Sequence, residues 1–283
     1  MQVNISDRQI AYSKTGRGPI HVLLVHGGPG LTRRSLSSIH NMLDQDQYTV
    51  FSYNQSGSSG NENAPFHKSV AAYAIELNQM IEALKIDRPF LVGHSWGTAV
   101  VLEFLFTCPN SPIRGIALIN CFVSGVHLAS WIENRISKLP QAFHDAVLKL
   151  NIATDAAKLD ALLGQYWFPQ HVIRSSELPS DLLQDLAELG TTPIYYYYIG
   201  WNPTTVNGAI LSWDRSTDLK NIKVPALVVS GGFDYGERSD FDQIAGAIPN
   251  ATTWFDPETS HFPMLEKPAG FKEVLTKFLS STK

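Results

Sequence analysis

Short apolar segments bounded by turn-forming residues recur in the first half and the last quarter of the chain. Runs of this length, rich in β-branched residues, predict strands. The predicted strands are 20–25, 49–53, 89–92, 115–119, 224–230 and 252–255, after an alternating, strand-like start of the chain. Helical patterns lie between several of them, as at 69–84. The alternation of strand and helix predicts an α/β fold whose mostly parallel sheet carries helices on both faces.

The alternation is interrupted from residue 122 to residue 211. Amphipathic helical patterns follow one another there without a clear strand between them, at 128–139, 141–150 and 178–189. We therefore predict a core formed by residues 1–121 and 212–283, with residues 122–211 inserted as a helical cap.

Composition narrows the class of protein. The chain has 283 residues, 44% hydrophobic and 17% charged, which suits a large folded core. Its formal charge is −4, and no basic stripe favours a nucleic-acid partner. The apolar runs are too short to span a bilayer and the start lacks a secretory pattern, which predicts a cytoplasmic protein without a membrane partner. Cys108 and Cys121 have no metal-ligand spacing and are predicted to be buried thiols.

The motif Gly93-His94-Ser95-Trp96-Gly97 stands between a predicted strand, FLV, and a predicted apolar helix, TAVVLEFLF. A strand-to-helix turn this sharp strains the backbone of its central residue, and the flanking glycines allow neighbouring backbone to approach. The Ser95 hydroxyl would then point out from the carboxyl edge of the sheet. We expect Ser95 to be a nucleophile.

A serine nucleophile needs a base that takes its proton and a carboxylate that orients the base. Asp234 and His261 each follow a late predicted strand, so both belong at the same sheet edge as Ser95. Asp256 is the most credible alternative acid. The other nearby carboxylates are Glu237, Asp240, Asp242 and Glu258. The order serine, acid, histidine favours a triad of Ser95, Asp234 and His261.

A glycine-rich loop, HGGPG at 26–30, follows the first buried strand. Its backbone amides are exposed, so those of Gly28 and of Trp96, after the serine, are candidates for an oxyanion hole. The loop matches neither the phosphate-binding pattern G-x-x-x-x-G-K-[ST] nor the dinucleotide-binding G-x-G-x-x-G.

Four segments together resemble the proline iminopeptidase-like branch of the α/β-hydrolases. They are HGGPG at 26–30, GHSWG at 93–97, WDRSTDLKNIKVPALVVSGGFD at 213–234 and SHFPMLEKP at 260–268. The resemblance implies an eight-stranded sheet, a helical cap, a triad of Ser95, Asp234 and His261, and an oxyanion hole formed by Gly28 and Trp96.

The chain departs from that family in two places. YNQSGSS at 53–59 replaces a family motif like YDQRGSGRS, so a structural charge pair is predicted to be absent. Iminopeptidases of the family hold the substrate amine with two acids, and here those positions fall at or near Pro203 and at Tyr235. Burying an ammonium without a carboxylate is costly, which argues against an aminopeptidase. Glu237, Glu188 or Glu177 could substitute.

Aromatic residues are frequent in the predicted cap, and one follows Asp234. We predict that they bind an apolar substrate group, although each could equally pack in the cap interior. They are Trp131, Trp167, Phe168, Tyr195, Tyr196, Tyr197, Tyr198, Trp201 and Tyr235.

The sequence predicts a serine hydrolase that cleaves an ester, lactone or amide bond of a small to medium apolar substrate through an acyl-enzyme. It needs no metal or organic cofactor and is expected to be a monomer or small homo-oligomer whose partner is a small molecule. The alternative is a proline iminopeptidase or amino-acid amidase whose amine-binding acids come from other positions. A non-catalytic binding protein on the same fold is a third hypothesis.

Overall fold

The computed structural model of the protein describes residues 1–61, 64–147, 149–150, 152–175, 178–189, 192–200 and 202–281. Its strands are β1 (Gln2–Ile5), β2 (Arg8–Gly16), β3 (Ile20–Val25), β4 (Tyr48–Tyr53), β5 (Phe90–His94), β6 (Gly115–Ile119), β7 (Ala226–Gly231) and β8 (Ala251–Asp256). They form one eight-stranded sheet in the order β1-β2-β4-β3-β5-β6-β7-β8. The β1–β2 and β2–β4 pairs are antiparallel, and the other pairs are parallel. The predicted mostly parallel sheet is confirmed.

Two strands begin one or two residues later than the pattern predicts. The structure starts β5 at Phe90 and β7 at Ala226, directly after Pro89 and Pro225. Proline has no N–H to donate to a neighbouring strand, although its carbonyl can still accept. Accordingly, the Pro225 carbonyl accepts a hydrogen bond from the Ile116 amide at 3.0 Å.

Helices follow most of the strands. They are α1 (Ser37–Met42), α2 (Val70–Ala83), α3 (Trp96–Thr107), α4 (Gly125–Ser137), α5 (Gln141–Val147), α6 (Ile152–Leu162), α7 (Ser180–Leu189), α8 (Pro193–Tyr198), α9 (Arg238–Ala247), α10 (Pro263–Glu266) and α11 (Pro268–Ser281). A π-helical segment (Leu163–Val172) continues α6, and 3-10 turns occupy Arg33–Leu36, Ala209–Ser212 and Leu219–Asn221. None of the described helices has the length and apolar character that crossing a bilayer requires.

The order of the strands explains why both faces of the sheet are covered. Crossovers between parallel strands are right-handed, so those that run in opposite directions along the sheet place their helices on opposite faces. The crossover through α1, from β3 to β4, runs one way, and those through α2, α3 and α9 run the other way. Helix α10 contacts both α1 and α11, so α10 and α11 lie on the same face of the sheet as α1.

Between β6 and β7, the regular structure of the described residues is almost entirely helical. It contains α4 to α8 and the π-helical segment, and its only β pairing among described residues consists of isolated bridges. This agrees with the helical character predicted for the stretch. The division into core and cap at residues 122 and 211 stays a prediction.

The segment that follows the helical stretch, at 213–215, is hydrogen-bonded to α3. The carboxylate of Glu103, on α3, accepts hydrogen bonds from the indole of Trp213 at 2.9 Å and from Nε and Nη2 of Arg215 at 2.8 Å each. Burial alone raises the pKa of Glu103, but the hydrogen bonds from Arg215 and Trp213 outweigh it and leave that pKa lowered. The WDR stretch therefore holds the end of the helical stretch against the helix that follows Ser95.

Replacing Arg215 by Met removes this charge while keeping a long side chain. Because Glu103 would be left buried without its cationic partner, we expect the free energy of unfolding at neutral pH to fall by about 2 to 4 kcal/mol. The folded pKa of Glu103 is depressed, so the stability contributed by the pair is fully present above the unfolded pKa of the carboxyl and is lost as the pH falls through the folded pKa. Urea unfolding at neutral and at acidic pH measures both effects.

The matched control is Arg17→Met, since Arg17 pairs with Asp46 and both side chains are largely exposed. We expect that variant to unfold like the wild type. An Arg215→Met protein as stable as this control at neutral pH would contradict the structural role of the pair.

Candidate active site

Ser95 occupies the turn between β5 and α3. Its backbone angles are φ +53° and ψ −122°, a conformation that a residue with a Cβ adopts only under constraint. The flanking glycines supply that constraint: a Cβ on Gly93 would lie 2.7 Å from the Gly97 carbonyl oxygen, and one on Gly97 would lie 2.0 Å from the Val25 carbonyl oxygen. Ser95 is therefore held out from the sheet edge, where its side chain is partly exposed and lines a cavity.

His261 and Asp234 meet at the same edge. The imidazole Nδ1 of His261 lies 2.6 Å from the Asp234 carboxylate, and both side chains are buried. His261 lines the same cavity as Ser95. The carboxylate of Asp256, the alternative acid, instead accepts from the Glu258 amide at 2.8 Å. The geometry therefore favours Asp234 over Asp256 as the partner of His261.

The main chain around His261 is fixed by side chains from neighbouring strands. His94, at the end of β5, lies with Nε2 2.7 Å from the His261 carbonyl oxygen, and Asn120, after β6, donates to the Ser260 carbonyl at 3.0 Å. Burial, and after it the nearby His261, lowers the pKa of His94 to about 3. His94 is therefore neutral at ordinary pH and adds no positive charge beside His261.

The candidate oxyanion donors lie on two elements that Gln55 links. Trp96 begins α3, so its amide has no partner in a preceding helical turn, and Gly28 holds φ +112° in the glycine-rich loop. The Gln55 side chain accepts from the Trp96 indole at 2.8 Å and donates to the His26 carbonyl at 2.8 Å. The backbone amide of Gln55 donates to Nε2 of His26 at 3.0 Å. One buried side chain thus ties the loop that carries Gly28 to the helix that carries Trp96.

The sequence departure at 53–59 is also visible here. The Asn54 carboxamide oxygen accepts from the backbone N–H and Nη1 of Arg33, at 3.1 and 3.0 Å. The amide and hydroxyl of Ser56 bond to the buried carboxylate of Glu76, which also lies 3.0 Å from Nε2 of His67. Asn54 and Ser56 stand where the family motif has an aspartate and an arginine. Asn54 is hydrogen-bonded to Arg33, and Ser56 is hydrogen-bonded to Glu76.

A stack of aromatic rings supports His261. The ring of Tyr235 lies 4.3 Å from that of His261 with a 24° tilt, and Trp167 stacks on Tyr235 at 5.4 Å with a 17° tilt. Burial raises the pKa of Tyr235 well above its usual value, so its phenol stays protonated. Tyr235 therefore limits the orientations available to the imidazole.

The cavity brings together only part of the predicted binding set. Trp167, Phe168, Tyr195 and Tyr235 line it. Trp131 is absent from its lining, since it packs against His127 and Phe241, and Tyr196 is 43% exposed.

Tyr197 and Tyr198 are also directed elsewhere. Their hydroxyls donate to the carbonyls of Lys68 and His67, respectively. Three of the four tyrosines are therefore outside this cavity lining, because side chains in a run on a helix point in several directions. A substrate-binding role for Trp131, Tyr196, Tyr197 and Tyr198 stays a prediction. Trp201 and Glu177 lie outside the described residues.

Sequence reasoning missed the aliphatic and carboxylate lining. Aliphatic side chains from α4, α7 and the π-helical segment line the cavity, together with Pro203: Leu128, Ile132, Leu163, Val172, Leu186 and Leu189. Pairs such as Leu128 and Ile132, four residues apart on one helix face, are the only signal, and core residues show the same spacing. Asp160, exposed on α6, is the one carboxylate in the described lining. Glu237 and Glu188 instead pair with Lys138 and Arg34.

Nothing in the described part of the chain resembles a metal site, because no three His, Cys, Asp or Glu side chains there are grouped so as to bind an ion. The chemistry available at the cavity is that of a hydroxyl, an imidazole paired with a carboxylate, and backbone amides.

The family described as the α/β hydrolase fold matches residues 20–268. The chain belongs to the α/β hydrolases. Among curated relatives, the proline iminopeptidase of Chitinophaga pinensis is 25% identical over 277 residues, which cover 94% of this chain and 92% of the relative.

Two solved structures show how closely the fold of this hydrolase is shared. The proline iminopeptidase of Mycobacterium smegmatis superposes with a TM-score of 0.85 at 23% identity, over 99% of this chain and 97% of that one. VinJ superposes with a TM-score of 0.89 at 24% identity, over 100% of this chain and 98% of that one. The predicted fold and the general activity, a serine hydrolase, are confirmed, and the chain is similar to the proline iminopeptidases that its sequence resembles.

The stack on His261 can be tested with a pair of substitutions. Tyr235→Phe keeps the ring and Tyr235→Leu removes it, so we expect kcat for a p-nitrophenyl ester to stay within about twofold for Phe and to fall about threefold to tenfold for Leu. An equal loss in both variants would show that the hydroxyl matters rather than the ring. No loss in the Leu variant would show that the ring does not support the imidazole.

Proposed function

We propose that this hydrolase cleaves an ester, lactone or amide bond of a small to medium, uncharged and apolar substrate through an acyl-enzyme. The position of Ser95 and His261 on one cavity, and the contact of His261 with Asp234, support the following roles. Ser95 attacks the carbonyl carbon, His261 takes the serine proton and returns it to the leaving group, and Asp234 orients the imidazole. Water, activated by the same imidazole, then releases the acyl group.

The developing oxyanion needs donors that are in place before the reaction. The amides of Gly28 and Trp96 are assigned this role, and the clamp by Gln55 on His26 and Trp96 supports the assignment. Losing one such donor typically lowers kcat about a hundredfold to a thousandfold.

The observation that carries the substrate class is the lining of the cavity. Pro203 and Tyr235 both line the cavity. They lie at or near the positions where the iminopeptidases that this chain resembles hold the substrate amine with acids. Their neighbours in the lining are mostly aliphatic and aromatic. A bound ammonium would find no buried carboxylate among the described lining residues, which favours a neutral substrate.

Iminopeptidase or amino-acid amidase activity is the second candidate. Asp160 favours it, because this exposed carboxylate lines the cavity and could pair with an amine. The curated relatives named proline iminopeptidase point the same way. A cytoplasmic location, a monomer or small homo-oligomer, and the absence of a nucleic-acid partner stay predictions.

The deciding experiment compares wild type with Ser95→Ala on p-nitrophenyl acyl esters and on proline p-nitroanilide. We expect ester turnover that falls at least about a thousandfold in the variant, with little anilide cleavage by either protein. Ser239→Ala, an exposed serine on α9, is the matched control and should keep full activity.

Each other outcome has a distinct meaning. Dominant anilide cleavage that depends on Ser95 and is lost in Asp160→Asn would favour the iminopeptidase instead. Labelling by a fluorophosphonate probe gives a readout that does not require the natural substrate. A wild type that is neither labelled at Ser95 nor active on any ester would overturn the proposal.

A further inference from the structure

A buried carboxylate joins the inserted helices to the loop that carries Gly28. Asp185 lies on α7, and its side chain is fully shielded from solvent. One carboxylate oxygen accepts from the Thr32 amide at 2.9 Å, and the Thr32 hydroxyl lies 2.8 and 2.9 Å from the two oxygens. These residues are 153 positions apart in the chain, so the contact arises only from tertiary packing.

Arg34 completes the charge balance at this contact. Its Nε and Nη2 donate to one oxygen of Asp185 at 2.9 and 2.7 Å, and Nη2 also lies 3.2 Å from Glu188 on the same helix. The hydrogen bonds from Arg34 are charge-assisted, and each oxygen of Asp185 has at least one donor. A buried carboxylate satisfied in this way is costly to disturb from either side.

The loop between Gly28 and the contact of Thr32 with Asp185 is short and closely packed. Gly28 and Thr32 are separated by three residues, of which Leu31 lines the cavity. A Cβ on Gly28 would lie 3.4 Å from Leu189, on α7, and one on Gly30 would lie 2.5 Å from the Thr192 hydroxyl oxygen. Gln55 holds the other end of the loop through His26. The position of the Gly28 amide is therefore set from the core at one end and from α7 at the other.

We propose that Asp185 is a positioning residue for the oxyanion hole. Asp185 is bonded to Thr32 and Arg34, so the position of α7 beside the cavity and the position of the Gly28 amide depend on each other. The same helix also places Leu186 and Leu189 in the cavity lining. The inference rests on the proposed function, in which Gly28 stabilises the oxyanion.

The test uses Asp185→Asn, which keeps the shape of the side chain and removes its charge. Asp181→Asn is the matched control, because Asp181 is exposed on the same helix. We measure kcat and KM on a p-nitrophenyl ester, the rate constant of fluorophosphonate labelling, and the thermal midpoint. Misplacing a catalytic group by about 1 Å costs about a hundredfold, so we expect kcat and the labelling rate to fall together by about tenfold to a hundredfold, with KM changed less than about threefold.

A merely structural contact would give a different pattern. In that case the thermal midpoint of Asp185→Asn would fall, while kcat and the labelling rate, measured well below the midpoint, would match those of Asp181→Asn. That result would overturn the inference. Failure of the proposed function is distinguishable, because the wild type itself would then not be labelled at Ser95.

Thr32→Val provides a second route if Asp185→Asn does not fold. It removes the hydroxyl, together with the bonds that the hydroxyl accepts from the amide and Nε of Arg34, and leaves the Thr32 backbone amide and the contact of Arg34 with Asp185. We expect a smaller loss of kcat and of the labelling rate, about threefold to tenfold, again with little change in KM. Unchanged values of both in a folded Thr32→Val protein would count against the proposed coupling.

Discussion

A residue with a Cβ is strained at positive φ, and Ser95 is kept there by contacts that leave no space for relaxation. The Gly97 backbone sits so close to the Val25 carbonyl that a Cβ could not fit between them. The start of α3 and the end of β3 are therefore in direct contact, which brings the glycine-rich loop next to the serine. The buried packing of α3 against β3 and β5 offsets a strain of about 1 to 3 kcal/mol.

Once the serine is fixed, the other groups are fixed relative to one another rather than each by its own loop. His94 and Asn120 hold the main chain at His261 and Ser260 from neighbouring strands. Arg135, on α4, donates to the Asp234 carbonyl at 2.8 Å, so the inserted helices also contribute to the position of the acid. Displacing one loop would therefore disturb several hydrogen bonds at once, which is the property that a preorganised site needs.

The parts that the sequence could predict are those governed by local rules. Glycines at a strand-to-helix turn, and polar residues just after late strands, make Ser95, Asp234 and His261 the candidate catalytic residues because the carboxyl ends of parallel strands share one edge. Asp234 and Asp256 both lie between Ser95 and His261 in the chain, so order alone does not separate them, and the 2.6 Å contact of Asp234 with His261 supplies the physical reason. The direction of a side chain on a helix is not encoded in this way. Tyr195 therefore faces the cavity while Tyr196, its neighbour, is exposed.

Position 235 shows how one residue can change both the substrate class and the support of the base. A carboxylate there would place a second negative charge beside the pair formed by Asp234 and His261 and would attract a cationic group into the cavity. Tyr235 instead contributes a neutral ring that stacks on His261 and lines the cavity. Apolar surroundings lower the local dielectric constant, so the interaction between Asp234 and a protonated His261 is strengthened while a charged substrate is disfavoured. The proposed preference for an uncharged substrate and the strengthened interaction within the pair of Asp234 and His261 thus have the same physical origin.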